Sequence, residues 1–171
     1  MTLNYENIKT QISKLLQEIE PKTNDRDGLK LTPHRVAKMY QEIFAGYNMT
    51  PETILKTRFL KEFSGEIIVQ EIQFYSMCEH HMAPFFGTVK IEYIPGDCLM
   101  GLSKFVRLVE CYSKRLQIQE RLTNQILDAI MFHGHAKACR ITIEARHLCM
   151  HMRGVKNFST ITTTISKKGE I

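Results

Sequence analysis

Two short segments, far apart in the chain, carry side chains of the kinds that bind zinc. One reads Cys-Glu-His-His over residues 78–81, and the other reads His-Leu-Cys over residues 147–149. Thiolate and imidazole groups are common zinc ligands in proteins, and a structural zinc site usually has four of them. The sequence predicts only three ligands here: Cys78, His81 and Cys149. A three-ligand site leaves one coordination position for water, as catalytic zinc sites do.

Each segment also contains a histidine that the predicted zinc site does not use, namely His80 in the first and His147 in the second. An imidazole can gain or lose a proton near neutral pH, so both residues are candidates for proton transfer. Three metal ligands with two free histidines indicate metal-assisted hydrolysis with general acid and base catalysis. The alternative is that the cysteines are simply buried thiols, which is the common state of a free cysteine.

The geometry of the two segments follows from the elements predicted around them. A strand is predicted over residues 138–150, and side chains alternate between the two faces of a strand. His147 and Cys149 should therefore lie on the same face, side by side. Cys78 and His81 are three residues apart, a spacing that fits a turn closing on a metal ion.

Hydrophobic periodicity predicts the remaining elements. Apolar residues at helical spacing predict a helix over residues 4–20, a polar linker over 21–28, and a second helix that Thr32 caps. From residue 66 the pattern predicts two strands, two helices of which Ser103 caps the first, and two more strands. The fold class is therefore α+β, a four-stranded antiparallel sheet with helices on one face. We expect an N-terminal helical segment over 1–62 and a catalytic domain over 63–171, in one globular unit.

Composition excludes several classes of protein. The 171 residues are 43% hydrophobic and contain no run of 18 apolar residues, so no membrane span is expected. The net charge of +5 is a weak sign of nucleic-acid binding, and few aromatic residues interleave with the basic ones, so no nucleic-acid partner is expected. Five cysteines without framework-like spacing, and no signal peptide, favour a reducing, cytoplasmic location.

Six motifs together resemble those of the GTP cyclohydrolase I family. They read Thr-Pro-His-Arg-Val-Ala-Lys-Met (32–39), Ser-Met-Cys-Glu-His-His (76–81), Gly-Leu-Ser-Lys (101–104), Gln-Glu-Arg-Leu-Thr (119–123), His-Leu-Cys (147–149) and Arg-Gly-Val (153–155). The resemblance implies a tunnelling fold, Zn²⁺ as cofactor and GTP as substrate. It also implies a reaction: opening of the guanine ring at C8, release of formate and rearrangement to 7,8-dihydroneopterin triphosphate. This reaction is the first step of tetrahydrofolate and pterin biosynthesis.

The same resemblance implies roles for individual residues. His80, His147 and Ser103 are the expected catalytic residues, with Ser103 acting at the ribose step. Glu120, with Gln119 beside it, is expected to bind guanine, because a carboxylate can accept hydrogen bonds from N1–H and the exocyclic amine together. The triphosphate needs clustered cations. Those expected are Lys104, Arg107, Arg153, Arg35 and Lys38, the last two from another subunit.

Exposed edges of a four-stranded sheet favour pairing with another subunit, and the resemblance implies a homo-oligomeric ring, typically a decamer.

Two other functions are compatible with parts of the pattern. Another tunnelling-fold enzyme of pterin or deazaguanine metabolism would carry a catalytic cysteine without Cys-Glu-His-His, or three histidine ligands. A zinc-stabilised binding protein without activity would lack one of His80, His147 and Ser103, and all three are present.

Overall fold

The structure is a computed structural model that describes residues 3–22, 26–60, 62–63 and 65–171. The N-terminal segment contains five short elements: α1 (Tyr5–Ile19), α2 (Asp27–Lys30), α3 (Thr32–Ile43), a 3-10 helix (Ala45–Asn48) and α4 (Pro51–Ile54). The remaining elements are β1 (Arg58–Leu60), β2 (Ile67–Cys78), β3 (Pro84–Ile94), β4 (Cys98–Met100), α5 (Leu102–Ser113), β5 (Leu116–Gln117), α6 (Gln119–His133), β6 (Ala138–His147), α7 (Leu148–His151) and β7 (Thr162–Lys168). The predicted α+β class is confirmed.

The main sheet has five strands in the order β5-β2-β3-β6-β7. Its four long strands, β2, β3, β6 and β7, pair with one another in antiparallel fashion, as the sequence predicts. The two-residue strand β5 was not predicted, and it pairs in parallel with the end of β2 at Met77 and Cys78. A separate two-stranded sheet joins β1 to β4. The chain thus contains the predicted sheet with one short strand added at its edge.

The core lies between one face of the main sheet and the helices α5 and α6. Side chains of β3 alternate, and Val89, Ile91 and Tyr93 are fully buried on the helix side. Phe105 on α5 and Ile126 on α6 are fully buried against them. Burying a large apolar side chain contributes about 1.5–3 kcal/mol, so this layer is the main source of stability.

The N-terminal helices begin differently from the sequence prediction. Thr32 is not the N-cap of α3, because that position is held by Leu31 and the Thr32 hydroxyl donates to the carbonyl of Gly28, 3.3 Å away. The cause is α2, which directly precedes α3 and offers this carbonyl; residues 23–25 of the predicted linker lie outside the described ones. Ser103 is likewise in the first turn of α5, which Gly101 caps. None of the described helices is long and apolar enough to cross a membrane.

Candidate metal centre and active site

Cys78 is the last residue of β2, and the backbone folds back immediately after it. The amide of Cys78 donates to the carbonyl of Ala83 at 2.9 Å, and its own carbonyl accepts from the amide of Met82 at 2.8 Å. Met82 has a φ of 50°, in the left-handed region, so the turn is tight. These bonds return the chain into β3 and leave the intervening histidines at the tip of the turn, where both are exposed.

Cys149 reaches the same place from the other segment. The register of β3 and β6 pairs Phe85 with His147, so β6 ends beside the start of β3 and hence beside the turn. Gly87 permits this close approach, because a Cβ there would lie 1.8 Å from the carbonyl oxygen of Glu144. The predicted strand over 138–150 is too long: β6 ends at His147, and the one-turn helix α7 carries Cys149. The argument from strand alternation was therefore wrong for Cys149.

The ligand atoms of Cys78, His81 and Cys149 nevertheless come together, all within 4.8 Å of one another. Cys78 is buried, Cys149 is half-buried and His81 is exposed, so the group opens to solvent on one side. Burial, together with the neighbouring Cys78 thiol, raises the pKa of Cys149. A cation between the two sulfurs would reverse that effect, because a coordinating thiol is deprotonated. Two thiolates and an imidazole are soft and borderline ligands, so this group can hold a metal ion such as zinc.

His80 lies beside the ligand group without belonging to it. Its Nδ1 is 3.8 Å from the sulfur of Cys78, and its ring is roughly perpendicular to that of His81, with centroids 6.3 Å apart. The neighbouring carboxylate of Glu79 forms a two-contact ion pair with Arg121 on α6, one contact being 3.0 Å. That hydrogen bond lowers the pKa of Glu79. The pair ties the turn of the metal ligands to the start of α6.

His147 is held on the inner side of the site. Its Nε2 is 2.8 Å from Oε1 of Gln119, and its ring stacks on Phe85 with centroids 4.7 Å apart and planes 4° apart. Burial lowers the pKa of His147, and the negative charge of Glu120 partly opposes this effect. Gln119 is 1% exposed, whereas Glu120 is exposed and lines a pocket of about 170 Å³ between α6 and β7. The charge of Arg153 likewise acts on Cys149, which brings this cation to the same end of the sheet.

Three of the predicted site residues lie at the opposite end of the sheet. Ser103, Lys104 and Arg107 are in the first two turns of α5, next to Phe105. Phe105 contacts Tyr93, with ring centroids 5.2 Å apart, whereas Phe85 contacts His147. Phe85 and Tyr93 are eight residues apart on β3, a separation of about 26 Å. In one chain, the start of α5 and the three candidate metal ligands therefore lie at opposite ends of β3.

Arg35 and Lys38 lie on α3, outside the sheet, and both are exposed. The guanidinium of Arg35 is engaged locally, donating to the carbonyl of Gly28 and to the hydroxyl of Thr32. The later part of α3, from Met39, borders an apolar cavity of about 360 Å³ beside the end of β2. The described structure brings neither cation into contact with the metal ligands.

Two features of this end of the sheet were not predicted as functional. The Glu79–Arg121 ion pair joins two of the motifs, and the opposite charges of these two residues were its only sequence signal. The hydrogen bond from His147 to Gln119 also joins two motifs. No local sequence pattern predicts this hydrogen bond, because the bond depends on how α6 packs on β6.

Comparison with known proteins gives a consistent result. The sequence profile of a family described as GTP cyclohydrolase I matches residues 8–171. GTP cyclohydrolase 1 of Finegoldia magna is 46% identical over 167 residues, which cover 98% of this chain and 90% of that protein. GTP cyclohydrolase 1 of Clostridium kluyveri is 44% identical over 162 residues, covering 95% and 87%. The protein of that name in Corynebacterium glutamicum is 48% identical over 147 residues, covering 85% and 75%.

A solved structure supports the fold. The apo form of the archaeosine synthase QueF-Like superposes with a TM-score of 0.54, at 16% identity, covering 65% of this chain and 99% of that one. At this identity the likeness concerns the fold alone. It agrees with the tunnelling fold that the motifs imply.

Proposed function

The chain belongs to the GTP cyclohydrolase I family, and from this premise we propose that it is a zinc-dependent enzyme that opens the guanine ring of GTP. In the proposed reaction the ring is hydrolysed at C8, C8 leaves as formate, and the remainder rearranges to 7,8-dihydroneopterin triphosphate. The observation that carries the proposal is the convergence of two thiols and one imidazole beside two further imidazoles. A group of three ligands leaves one coordination position open for water, as hydrolysis requires, whereas a structural zinc site fills all four with protein ligands.

Zinc is the metal we propose for Cys78, His81 and Cys149, because their donors are those of catalytic zinc sites. Bound there, zinc would lower the pKa of a water molecule towards about 7 and so provide hydroxide at neutral pH. The exposed side of the group leaves room for the substrate to approach. Cys78 lies at a hydrogen-bonded turn and Cys149 in α7, so the backbone of both proposed ligands is in regular structure.

The two remaining histidines would handle protons. His80, exposed at the tip of the turn, would protonate the imidazole nitrogen of the substrate as the ring opens. His147 is more buried, and burial lowers its pKa, which favours the neutral imidazole that can accept a proton. We therefore assign the later proton transfers of the rearrangement to His147, and the ribose step to Ser103.

Substrate binding would be divided between one residue that recognises the base and several that bind phosphate. The exposed carboxylate of Glu120 is free to accept two hydrogen bonds from guanine. Cations would bind the triphosphate: Lys104, Arg107, Arg153, Arg35 and Lys38. Lys104 is in the first turn of α5, where the positive end of the helix dipole also favours anions.

This division implies a homo-oligomer, since α5 and the metal ligands lie at opposite ends of the sheet. One site would then combine the metal ligands of one subunit with Ser103, Lys104 and Arg107 of another. The sheet edges support such assembly: among the described residues, β7 pairs only with β6, and the outer edge of β2 pairs only with β5. Exposed edges commonly pair with other chains, and we propose a closed ring, a decamer by resemblance to the family.

The five free cysteines suit a reducing, cytoplasmic location.

The test is an assay of the purified protein with its zinc content determined. The protein is incubated with GTP while formate and the fluorescence of oxidised neopterin are measured. We expect both products, and we expect both to disappear after chelation and to return when zinc is added back. Formate without neopterin would mean that the ring opens but does not rearrange. Neither product from the zinc-loaded protein would overturn the proposed function.

A further inference from the structure

The side chain of Gln119 is enclosed in a network that decides how its amide is oriented. The amide nitrogen lies 3.0 Å from the carbonyl oxygen of Ile143 and 2.9 Å from that of Thr162. Carbonyl oxygens can only accept hydrogen bonds, so the NH₂ group must face them. The reverse orientation would set the amide oxygen against both carbonyl oxygens. The backbone of β6 and β7 thus fixes which end of the Gln119 amide is oxygen.

This orientation has a consequence for His147. The oxygen of the Gln119 amide is 2.8 Å from Nε2 of His147, and an amide oxygen only accepts. Nε2 must therefore carry the hydrogen. In a neutral imidazole the other nitrogen, Nδ1, is then the proton acceptor. Phe85, which is fully buried, stacks on the ring and holds its plane.

The network is anchored by three elements, so it does not depend on one flexible contact. Thr123 on α6 donates to the carbonyl of Gln119 at 2.8 Å, and its oxygen is 2.7 Å from the hydroxyl of Thr164 on β7. The Thr164 hydroxyl is itself 3.1 Å from the amide nitrogen of Gln119. Gln119 is 1% exposed and its amide contacts protein groups, which favours a role within the protein over the contact with guanine that the resemblance implies.

We propose that Gln119 is a positioning residue that holds His147 as the tautomer with hydrogen on Nε2, so that His147 exchanges protons with the substrate through Nδ1. The part that concerns the substrate rests on the proposed function, whereas the tautomer does not. Residues that fix the tautomer of a functional histidine commonly do so through its second nitrogen. Gln119 therefore acts on the reaction through His147.

The tautomer can be observed without any assay. Crystals of the purified protein, exchanged into D₂O, are examined by neutron diffraction without substrate. We expect deuterium on Nε2 of His147, with or without a second deuterium on Nδ1. A bare Nε2 with deuterium on Nδ1 would overturn the proposal. Because no GTP is present, this result is independent of whether the protein opens the guanine ring.

Kinetics of Gln119→Met separate positioning from substrate binding. Methionine has a similar volume but forms none of the four contacts of the amide. We expect kcat to fall roughly 10- to 100-fold, within the range of general acid and base catalysis, while KM for GTP changes little. A raised KM with unchanged kcat would mean that Gln119 binds the base, and would overturn the proposal.

Thr123→Val is the matched control, since it removes a hydroxyl from the same network and leaves the Gln119–His147 contact in place. It should lower the thermal unfolding temperature while kcat stays within about twofold, because the two hydrogen bonds it removes, to the Gln119 carbonyl and the Thr164 hydroxyl, do not include the one to His147. An equal loss of kcat in both variants would mean that Gln119 only stabilises the fold, and would contradict the proposal. If Gln119→Met does not fold, the neutron result on the unchanged protein still decides the tautomer.

Discussion

The two ends of the main sheet carry different halves of the predicted site, and they are built in different ways. At one end, the turn after β2 and the helix α7 bring Cys78, His81 and Cys149 within 4.8 Å inside a single chain. At the other end, about 26 Å away along β3, the first turns of α5 offer Ser103 and Lys104 from a helix surface. A metal site needs ligand atoms held within a few tenths of an ångström, which local turns can achieve. Binding a triphosphate tolerates a subunit boundary, because charge acts over several ångströms.

Substitutions should lower activity most at the end of the sheet that carries Cys78, His81 and Cys149, which we call the metal end. Cys149→Ser replaces a thiolate with a hydroxyl that zinc binds poorly, so we expect both the bound zinc and the turnover to be lost. Metal analysis of the purified variant, with the GTP assay, checks this. Cys98→Ser is the matched control, since Cys98 lies on β4 outside the ligand group, and it should keep both. Full zinc occupancy in Cys149→Ser would remove Cys149 from the ligand set.

At the metal end, one substitution should lower turnover without affecting zinc binding. His80→Ala should retain zinc, because His80 is not in the ligand group, while kcat falls about 100-fold or more. Zinc content and kcat measured on the same preparation check this. His135→Asn, at an exposed position with a φ of 51° that asparagine tolerates, is the control and should be unaffected. Unchanged turnover in His80→Ala would exclude its role as the acid.

Recognition of the base should depend on the charge of Glu120. Glu120→Gln keeps the shape but replaces one acceptor with a donor, so a hydrogen bond to guanine is lost. We expect kcat/KM for GTP to fall about 10- to 100-fold, the effect of losing a hydrogen bond to a charged group. Glu144→Gln, on an exposed position of β6, should leave kcat/KM unchanged. If GTP kinetics were the same in both variants, Glu120 would not bind the base.

A complementation experiment tests the subunit boundary itself. Lys104→Glu should repel the triphosphate without harming the fold, because an acid is favourable in the first turn of a helix. Coexpressed with Cys149→Ser, it should restore activity, since some sites combine an intact α5 from one chain with intact ligands from the other. Random assembly makes such sites about a quarter of the total, so about a quarter of full activity is expected. No recovery from verified mixed oligomers would mean that each chain carries its own complete site.

The smallest effect is expected from the Glu79–Arg121 ion pair, which links the turn after β2 to α6. Arg121→Lys keeps the charge but loses the two-contact geometry with Glu79. Because both side chains are partly exposed, zinc affinity should fall by no more than about threefold. Competition with a chelator measures this, and Arg26→Lys, which alters the surface pair with Glu20, is the control. A loss of zinc as complete as in Cys149→Ser would mean that this pair decides the shape of the turn.

The difference between the two ends also explains which predictions from sequence were accurate. The Cys-Glu-His-His and His-Leu-Cys segments are local, and the three residues that they predict as ligands do come together in the structure, as a group that could hold a metal ion. The helices and the four long strands follow from periodicity, which is also local. The helix starts were misplaced at Thr32 and Ser103, because both residues lie inside the first turn and neither side chain caps its helix. Strand β5 has two residues, too few for a period to be recognised.

The sequence by itself determined the ligand types, the helical and strand periods, and the family to which the chain belongs. Only the tertiary structure decided that α7 rather than a strand carries Cys149, that Gln119 faces His147, and that α5 begins at the far end of the sheet. The physical reason is range. Side-chain type and spacing act over a few residues, whereas these three features depend on the register of β3 and β6 and on the packing of α5 and α6 across the sheet.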